Sequence, residues 1–467
     1  MTSRLSFVFS FSEKYTLLVL NTAGAMVVAR LLTPDEVGVY AIGAVLVALA
    51  QVLRDFGVGS YIIQAPVLDD ARLRAAMGVS IMVGWSLAGL VFAASYAAAW
   101  FYDEPRLQVL LQLLSLNFML LPFSAIALPC LRRQMRFSAI FVINTIQCAT
   151  QTASTIMLAV LGWGYLSLAF GAVAGAVATL IAVLCFRPAD LPWLPTWHGM
   201  REILSFGAVS TTGTLVDEAG VAAPDLVIGK VAGLAEVAIY GKAMGVINVF
   251  NQLVTAAISP VIFPMFSAQA RSGADVRQAY LTTASYMTAL GWPFFGFVAL
   301  MAPALVHILY GDQWSAAVPV IRVICIGSAV YSMFSMARYL FVAMGQVQAQ
   351  ARLDAMAVLA RVLAVLLAAP FGLLWIGWAI VFGAVIRSGL TLFYLRRFAR
   401  ITCRSLLEAT WCSALVAGIC LTGSAVVTSW PLPPVEQLLA ASAVCALLWL
   451  AAIRCVRHEL ATALLRS

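Results

Sequence analysis

Charged residues set within long apolar runs are where this chain could do chemistry. Five are basic: Arg30, Lys230, Lys242, Arg361 and Arg387. Three are acidic: the adjacent Asp217 and Glu218, and Asp225 directly after Pro224. Arg54 and Asp55 stand side by side at the end of another run. A charge in hydrocarbon is costly, so such residues face a partner or a polar cavity. Guanidinium and ammonium groups suit phosphate oxygens, which makes the five basic residues candidates for binding an anionic substrate. The carboxylates are compatible with a monovalent cation or a proton, which makes Asp217, Glu218 and Asp225 coupling candidates. Arg54 and Asp55 are a candidate gate pair. Plainer readings stand beside these. Arg30 and Lys230 lie near helix ends, where long side chains reach the interface. Arg54 and Asp55 equally suit capping and topology, and Arg338 and Asp354 read as interfacial. Sign and depth are legible, whereas facing is not.

Other chemistries find no support. The nine cysteines are scattered, mostly inside apolar runs, with no CxxC and no Cys/His cluster. His198, His307 and His458 are far apart. Gly229-Lys230 lacks the upstream glycine and the following Ser/Thr of a phosphate-binding loop, so ATP hydrolysis within this chain is not expected. The expectation is no catalytic residue, no cofactor, no metal and no enzyme.

The elements that must position these charges are membrane helices. Of 467 residues, 63% are apolar and only 10% charged, and the mean hydropathy is +0.97. Lipid must therefore be the solvent for much of the surface. Long continuous apolar runs favour helices over short alternating barrel strands. The expected spans are 14–31, 37–54, 76–99, 107–130, 139–161, 164–186, 203–223, 238–260, 281–303, 317–338, 351–370, 374–395, 406–428 and 435–453. The fold class is thus an all-α polytopic membrane protein of about fourteen transmembrane helices. The connections are too short for a soluble catalytic domain. The net charge of +8 does not point to nucleic acid, because the basic residues gather on alternate loops, a topology signal. With an even number of helices, that bias puts both termini in the cytoplasm. The apolar stretch runs past Ala23-Gly24-Ala25 to Leu32, so it reads as a first span rather than a cleaved signal.

An internal repeat organises the spans. Residues 27–42, VVARLLTPDEVGVYAI, match residues 227–242, VIGKVAGLAEVAIYGK, at an offset of 200. This aligns Arg30 with Lys230, Glu36 with Glu236 and Tyr40 with Tyr240. Gly84-Trp85 matches Gly291-Trp292, and Tyr102-Asp103-Glu104 resembles Tyr310-Gly311-Asp312. A six-helix unit returns the chain to the same side, so the halves are parallel repeats about an axis along the membrane normal. The expected domains are a lobe over 1–200, a lobe over 201–400, and two additional helices over 401–467. That is transporter architecture, with two bundles that rock against each other. Pro122 and Pro129 in the fourth span, Pro260 and Pro264 ending the eighth, and a break at Pro224 suit bent helices.

Residues 29–64, ARLLTPDEVGVYAIGAVLVALAQVLRDFGVGSYIIQ, together with 224–243, 305–324 (LVHILYGDQWSAAVPVIRVI) and 341–356, resemble the Wzx-type polysaccharide flippases of the multidrug/oligosaccharidyl-lipid/polysaccharide exporter superfamily. The resemblance covers nearly the whole chain. It implies a two-lobed bundle in the bacterial inner membrane. It also implies translocation of an undecaprenyl-diphosphate-linked oligosaccharide from the cytoplasmic to the periplasmic leaflet, for O-antigen, capsule or exopolysaccharide. The implied partners are that lipid-linked sugar, membrane lipids, a cation or proton, and a polymerase with its chain-length machinery. Asp225 resembles the acidic residue preceding the family's IG-basic element. The alternatives are a cation-coupled multidrug or small-solute antiporter, a peptidoglycan-precursor flippase, and a membrane-embedded polymerase or glycosyltransferase. The short periplasmic loops disfavour the last.

Overall fold

The computed structural model describes the chain from Ser3 to Leu460 apart from positions 56, 66, 67, 188–190, 193, 198, 273, 274, 457 and 459. The side chains of 3–11, 201, 202, 206, 208–210, 212–214, 216, 217 and 256 are also outside the described part. Among the described residues every regular element is helical. The order is α1 (Ser3–Leu31), α2 (Pro34–Asp55), α3 (Val58–Gln64), α4 (Asp70–Tyr102), α5 (Pro105–Leu120), α6 (Ala127–Arg133), α7 (Phe137–Val160), α8 (Leu166–Phe186) and α9 (Met200–Val231). Then follow α10 (Leu234–Phe250), α11 (Ala256–Ser272), α12 (Val276–Leu309), α13 (Ala317–Ser332), α14 (Ala337–Ala343), α15 (Val347–Ala368), α16 (Leu373–Ala399), α17 (Cys403–Thr428) and α18 (Pro434–Cys455).

Local chemistry sets the helix starts. Asp69 accepts from the Arg72 backbone N–H to cap α4, and Asp275 does the same for α12 through Arg277. Pro105 opens α5, where a missing N–H costs nothing. Thr402 and Ser405 form a capping box at α17.

Among the described residues, ten candidate spans are long and apolar enough to cross a membrane, and the bent α10–α11 pair brings the number to eleven. α1, α7 and α9 fall outside that set. α7 carries Asn144, Gln147, Gln151, Thr152 and Thr155, which lower its hydropathy.

Two proline expectations are corrected. α9 runs unbroken through Pro224, so there is no helix break before Asp225. Proline is tolerated inside a membrane helix when neighbouring groups satisfy the freed carbonyl. The eighth span does not end at Pro260 and Pro264 but bends by 47° and continues to Ser272. Pro260 cannot donate to the carbonyl one turn earlier and its ring crowds that carbonyl. A π-helical turn, Asn251–Thr255, immediately precedes α11 and lies at the bend.

α5 and α6 are 16 and 7 residues long, interrupted by a 3-10 turn around Pro122. α13 and α14 are also 16 and 7 residues long. Each short helix closes with the same hydrogen-bonded turn. After α6, the Arg136 N–H donates to the Leu131 carbonyl at 2.9 Å and Met135 to Arg132 at 3.0 Å. After α14, Gln346 donates to Phe341 at 2.8 Å and Gly345 to Val342 at 3.0 Å. Such closures use a left-handed residue. Here these are Met135, with φ 56°, and Gly345, with φ 73°.

The chain forms two compact units, Met1–Ala238 and Ile239–Ser467. In the first, α7 packs on α1 and α8, α5 on α2, α4 and α8, and α9 on α2 and α4. One of its cores gathers Ile62, Ala76, Val79, Leu131, Ile140 and Ile143. In the second, α12 packs on α13, α17 and α18, and α16 lies between α13 and α15.

Candidate functional site

The second unit contains a cavity of about 240 Å³ lined by residues of α10, the π-helical turn, α12, α13, α15 and α16. Helical periodicity builds its walls. Ser328, Tyr331 and Ser332 share one face of α13, with Ser335 in the turn that follows, and Ile380, Gly383, Ala384 and Arg387 share one face of α16. The bend at the π-helical turn adds Asn251, and α15 adds Ala357, Val358 and Arg361.

Arg361 lies near the middle of the span Val347–Phe371, and Arg387 near the middle of Leu373–Ala399. Gly383 lets the two helices approach. A Cβ built there would sit 3.1 Å from the Arg361 Cβ and 3.4 Å from its Cα. Arg387 is held on two sides. Its guanidinium donates to Asp354 Oδ1 at 2.6 Å, and it lies over the Tyr331 ring at 5.2 Å. The second Asp354 oxygen accepts from Gln350 Nε2 at 2.7 Å. The pair is largely shielded, with side-chain exposures of 29% for Arg387 and 15% for Asp354. Arg387 and Arg361 line the cavity, whereas Asp354 stands behind Arg387. Such a pocket can hold an anion through charge-assisted, bidentate hydrogen bonds, with hydroxyl and amide groups at hand for a polar substituent.

The other expected residues lie elsewhere. Lys242 is two residues from the lining residue Met244 and is enclosed by aromatic rings, 4.9 Å from the centroid of Tyr310 and 5.1 Å from that of Trp314. Those two rings belong to the YGDQW element. Arg30 and Lys230 each occupy the last turn of their helix, α1 and α9, where a cation suits the helix dipole. Lys230 donates to the Phe101 carbonyl and lies 4.9 Å from the Phe101 ring centroid. Near it, the Tyr102 hydroxyl donates to the Leu226 carbonyl at 3.2 Å. Arg54 and Asp55 do pair, with Nε 3.1 Å from Oδ1. Glu218 and Asp225 are half-buried on α9, and the Asp217 side chain lies outside the described residues.

Of the ten expected residues, the cavity unites Arg361 and Arg387. The residues that reasoning from sequence missed are Asp354, Gln350, Tyr331 and Asn251. A signal for Tyr331 was present, since polar Ser328, Tyr331, Ser332 and Ser335 share a face of an apolar run. From sequence Asp354 reads as interfacial, because nothing there joins it to Arg387, 33 positions away.

Comparison with known proteins agrees with this architecture. Over nearly its whole length (98% of this chain, 100% of the other) the fold matches the lipid II flippase MurJ in an inward closed conformation, with a TM-score of 0.80 at 12% identity. An inward-facing multidrug resistance transporter of the MATE family matches with a TM-score of 0.66 at 14% identity, over 82% of this chain and 94% of that one. In sequence, the chain is 24% identical over 290 residues to the teichuronic acid biosynthesis protein TuaB of Bacillus subtilis, covering 59% of this chain and 58% of that protein. It is 23% identical over 306 residues to the lipopolysaccharide biosynthesis protein WzxC of Escherichia coli, covering 64% and 61% respectively. The succinoglycan biosynthesis transport protein ExoT of Rhizobium meliloti is 24% identical over 308 residues, covering 65% and 62%. The match thus spans about three fifths of each of these relatives. A family described as polysaccharide biosynthesis protein matches residues 27–319, more than half of the chain. The chain belongs to the polysaccharide biosynthesis protein family.

Proposed function

We propose that this protein is a flippase of the bacterial inner membrane. It moves a polyprenyl-diphosphate-linked oligosaccharide from the cytoplasmic to the periplasmic leaflet for synthesis of a surface polysaccharide. The observation that carries the reading is the pair of mid-span arginines on one cavity, with a single carboxylate among the described charges beside them. The lipid tail of such a substrate can stay in the bilayer, but its diphosphate and sugars need a polar, cationic passage. Arg361 and Arg387 bind the diphosphate, and Asn251, Tyr331 and the α13 serines face the sugar. The names of the relatives and of the structural neighbour MurJ support the substrate class.

The same proposal includes fourteen crossings, with both termini cytoplasmic. Six-helix repeats over 1–200 and 201–400 are followed by two further helices over 401–467. Matching lengths and closures of α5–α6 and α13–α14 support the repeat. Arg30, Lys230 and Lys242 serve the anion along its path, Asp217, Glu218 and Asp225 serve a coupling cation or proton, and Arg54–Asp55 serves a gate. A polymerase with its chain-length machinery takes the product.

The test labels lipid-linked sugars in a deletion strain. The expected result is accumulation in the cytoplasmic leaflet, relieved by the wild-type gene and not by Arg361→Gln or Arg387→Gln proteins that still reach the membrane. Normal intermediates with altered drug tolerance would replace this reading with an antiporter. Single repeats trapped in the periplasmic leaflet would point to a polymerase.

A further inference from the structure

Asp354 is the carboxylate that the cavity's geometry leaves to be explained. Its two oxygens are taken by Arg387 at 2.6 Å and by Gln350 at 2.7 Å, and Gln350 is buried. It is not among the residues that line the cavity, whereas its partner Arg387 is. An anion entering the cavity therefore meets a guanidinium whose charge is already matched. Two anions sharing one guanidinium a few ångströms apart repel each other, and in a shielded site one of such a pair takes a proton.

The surroundings decide which. On α16 the facing charge is Arg387 alone, and on α15 the next charge along the cavity side is Arg361. Arg338 on α14 and Arg352 on α15 are exposed. Across the guanidinium stands the Tyr331 ring, which keeps Arg387 oriented when its carboxylate partner is lost. Gln350 completes the arrangement. Its amide can turn to present its oxygen, so it can donate to the carboxylate and accept from the carboxylic acid. Both protonation states of Asp354 thus keep a hydrogen-bond partner.

We propose that Asp354 is a proton-accepting counter-ion that exchanges with an anionic head group at Arg387, so that loading the cavity with a diphosphate is linked to uptake of a proton. This rests on the reading of the cavity as a diphosphate site. On loading, Arg387 turns its charge to the phosphate oxygens and Asp354 takes a proton from the water of the cavity. On unloading, the diphosphate leaves, Asp354 gives its proton to whichever aqueous side the cavity faces, and the ion pair re-forms. Charge balances at each step, and no further reactant is needed.

The experiment is calorimetric titration of the purified full-length protein with farnesyl diphosphate, in buffers of different ionisation enthalpy at fixed pH. The probe's own ionisation contributes equally to wild type and to Asp354→Asn, so the difference between them reads Asp354. The expected difference is about one proton per probe bound, with wild-type affinity falling up to about tenfold per pH unit more steeply than that of Asp354→Asn. Asp354→Glu keeps the uptake, and Asp354→Ser supplies the comparison if Asp354→Asn does not fold. Equal uptake in wild type and Asp354→Asn, or loss of uptake in Asp354→Glu, overturns the proposal while leaving the diphosphate site standing. Failure of the wild type to bind farnesyl diphosphate removes the site itself, and the proposal falls with it.

Discussion

Met135 adopts φ 56° in the turn that ends α6, whereas Gly345 fills the corresponding place after α14. A left-handed backbone costs a residue with a Cβ about 1–2 kcal/mol. Met135→Gly is therefore expected to stabilise the protein by about 1 kcal/mol, the gain being trimmed by glycine's larger loss of backbone freedom. Denaturant unfolding in micelles would show it, and a destabilised variant would refute it. Glu104, in the turn before α5, accepts from the Arg106 Nε at 2.8 Å and from a second guanidinium nitrogen at 2.7 Å. That hydrogen bonding holds its carboxyl below the usual range, against the opposing effect of partial burial. A depressed carboxylate contributes stability above its unfolded pKa and loses it as pH falls through its folded pKa. Glu104→Gln should thus be less stable than wild type at neutral pH, with the gap closing as the solution is acidified below the carboxylate range. A gap that widens in acid would reverse the assignment. The charges at the middle of the spans, Arg361 and Arg387, were legible from depth alone. Asp354 was not, because hydropathy reports how deep a residue sits and not which way its helix is turned.

Helix contacts decide how well the arginines are held. The α15–α16 approach depends on Gly383, where a side chain would press on the Arg361 Cα and Cβ. Backbone and Cβ atoms do not swing aside, so Gly383→Val is expected to destabilise by about 2 kcal/mol. It should also weaken farnesyl diphosphate binding severalfold by moving Arg361. A variant with normal stability and affinity would show that the helices can part there at no cost. Some interruptions were readable and others were not. Pro122 announces the turn between α5 and α6. The break between α13 and α14 contains no proline. There the Ser332 and Ser335 hydroxyls donate back to the carbonyls of Ala329 and Ser332, at 2.7 and 2.9 Å, and compete with the helix's own hydrogen bonding. Serine is common in membrane helices that do not break, so the residue type alone carries little warning.

At the scale of the molecule, the proposed fourteen crossings would place the two ends of the chain on the same face. Reporter fusions at the N- and C-termini should both report the cytoplasm, and opposite readings would require an odd number of spans. Apolar length identifies ten or eleven of the spans. The arginine bias of alternate loops and the repeat are what support the proposed further crossings, among them the more polar helix α7. The pair between α15 and α16 also bears on how the protein is made. Synthesis delivers α15 to the membrane before α16, and only Gly372 separates α16 from the short turn Ala369–Phe371 that ends the preceding span. A lone arginine at the centre of a helix opposes insertion by about 2.5–3.5 kcal/mol. Arg387 finds Asp354 only when both helices are present, so insertion of the two as a hairpin is the expected route. On that route the carboxylate would be of use during assembly, before any substrate arrives.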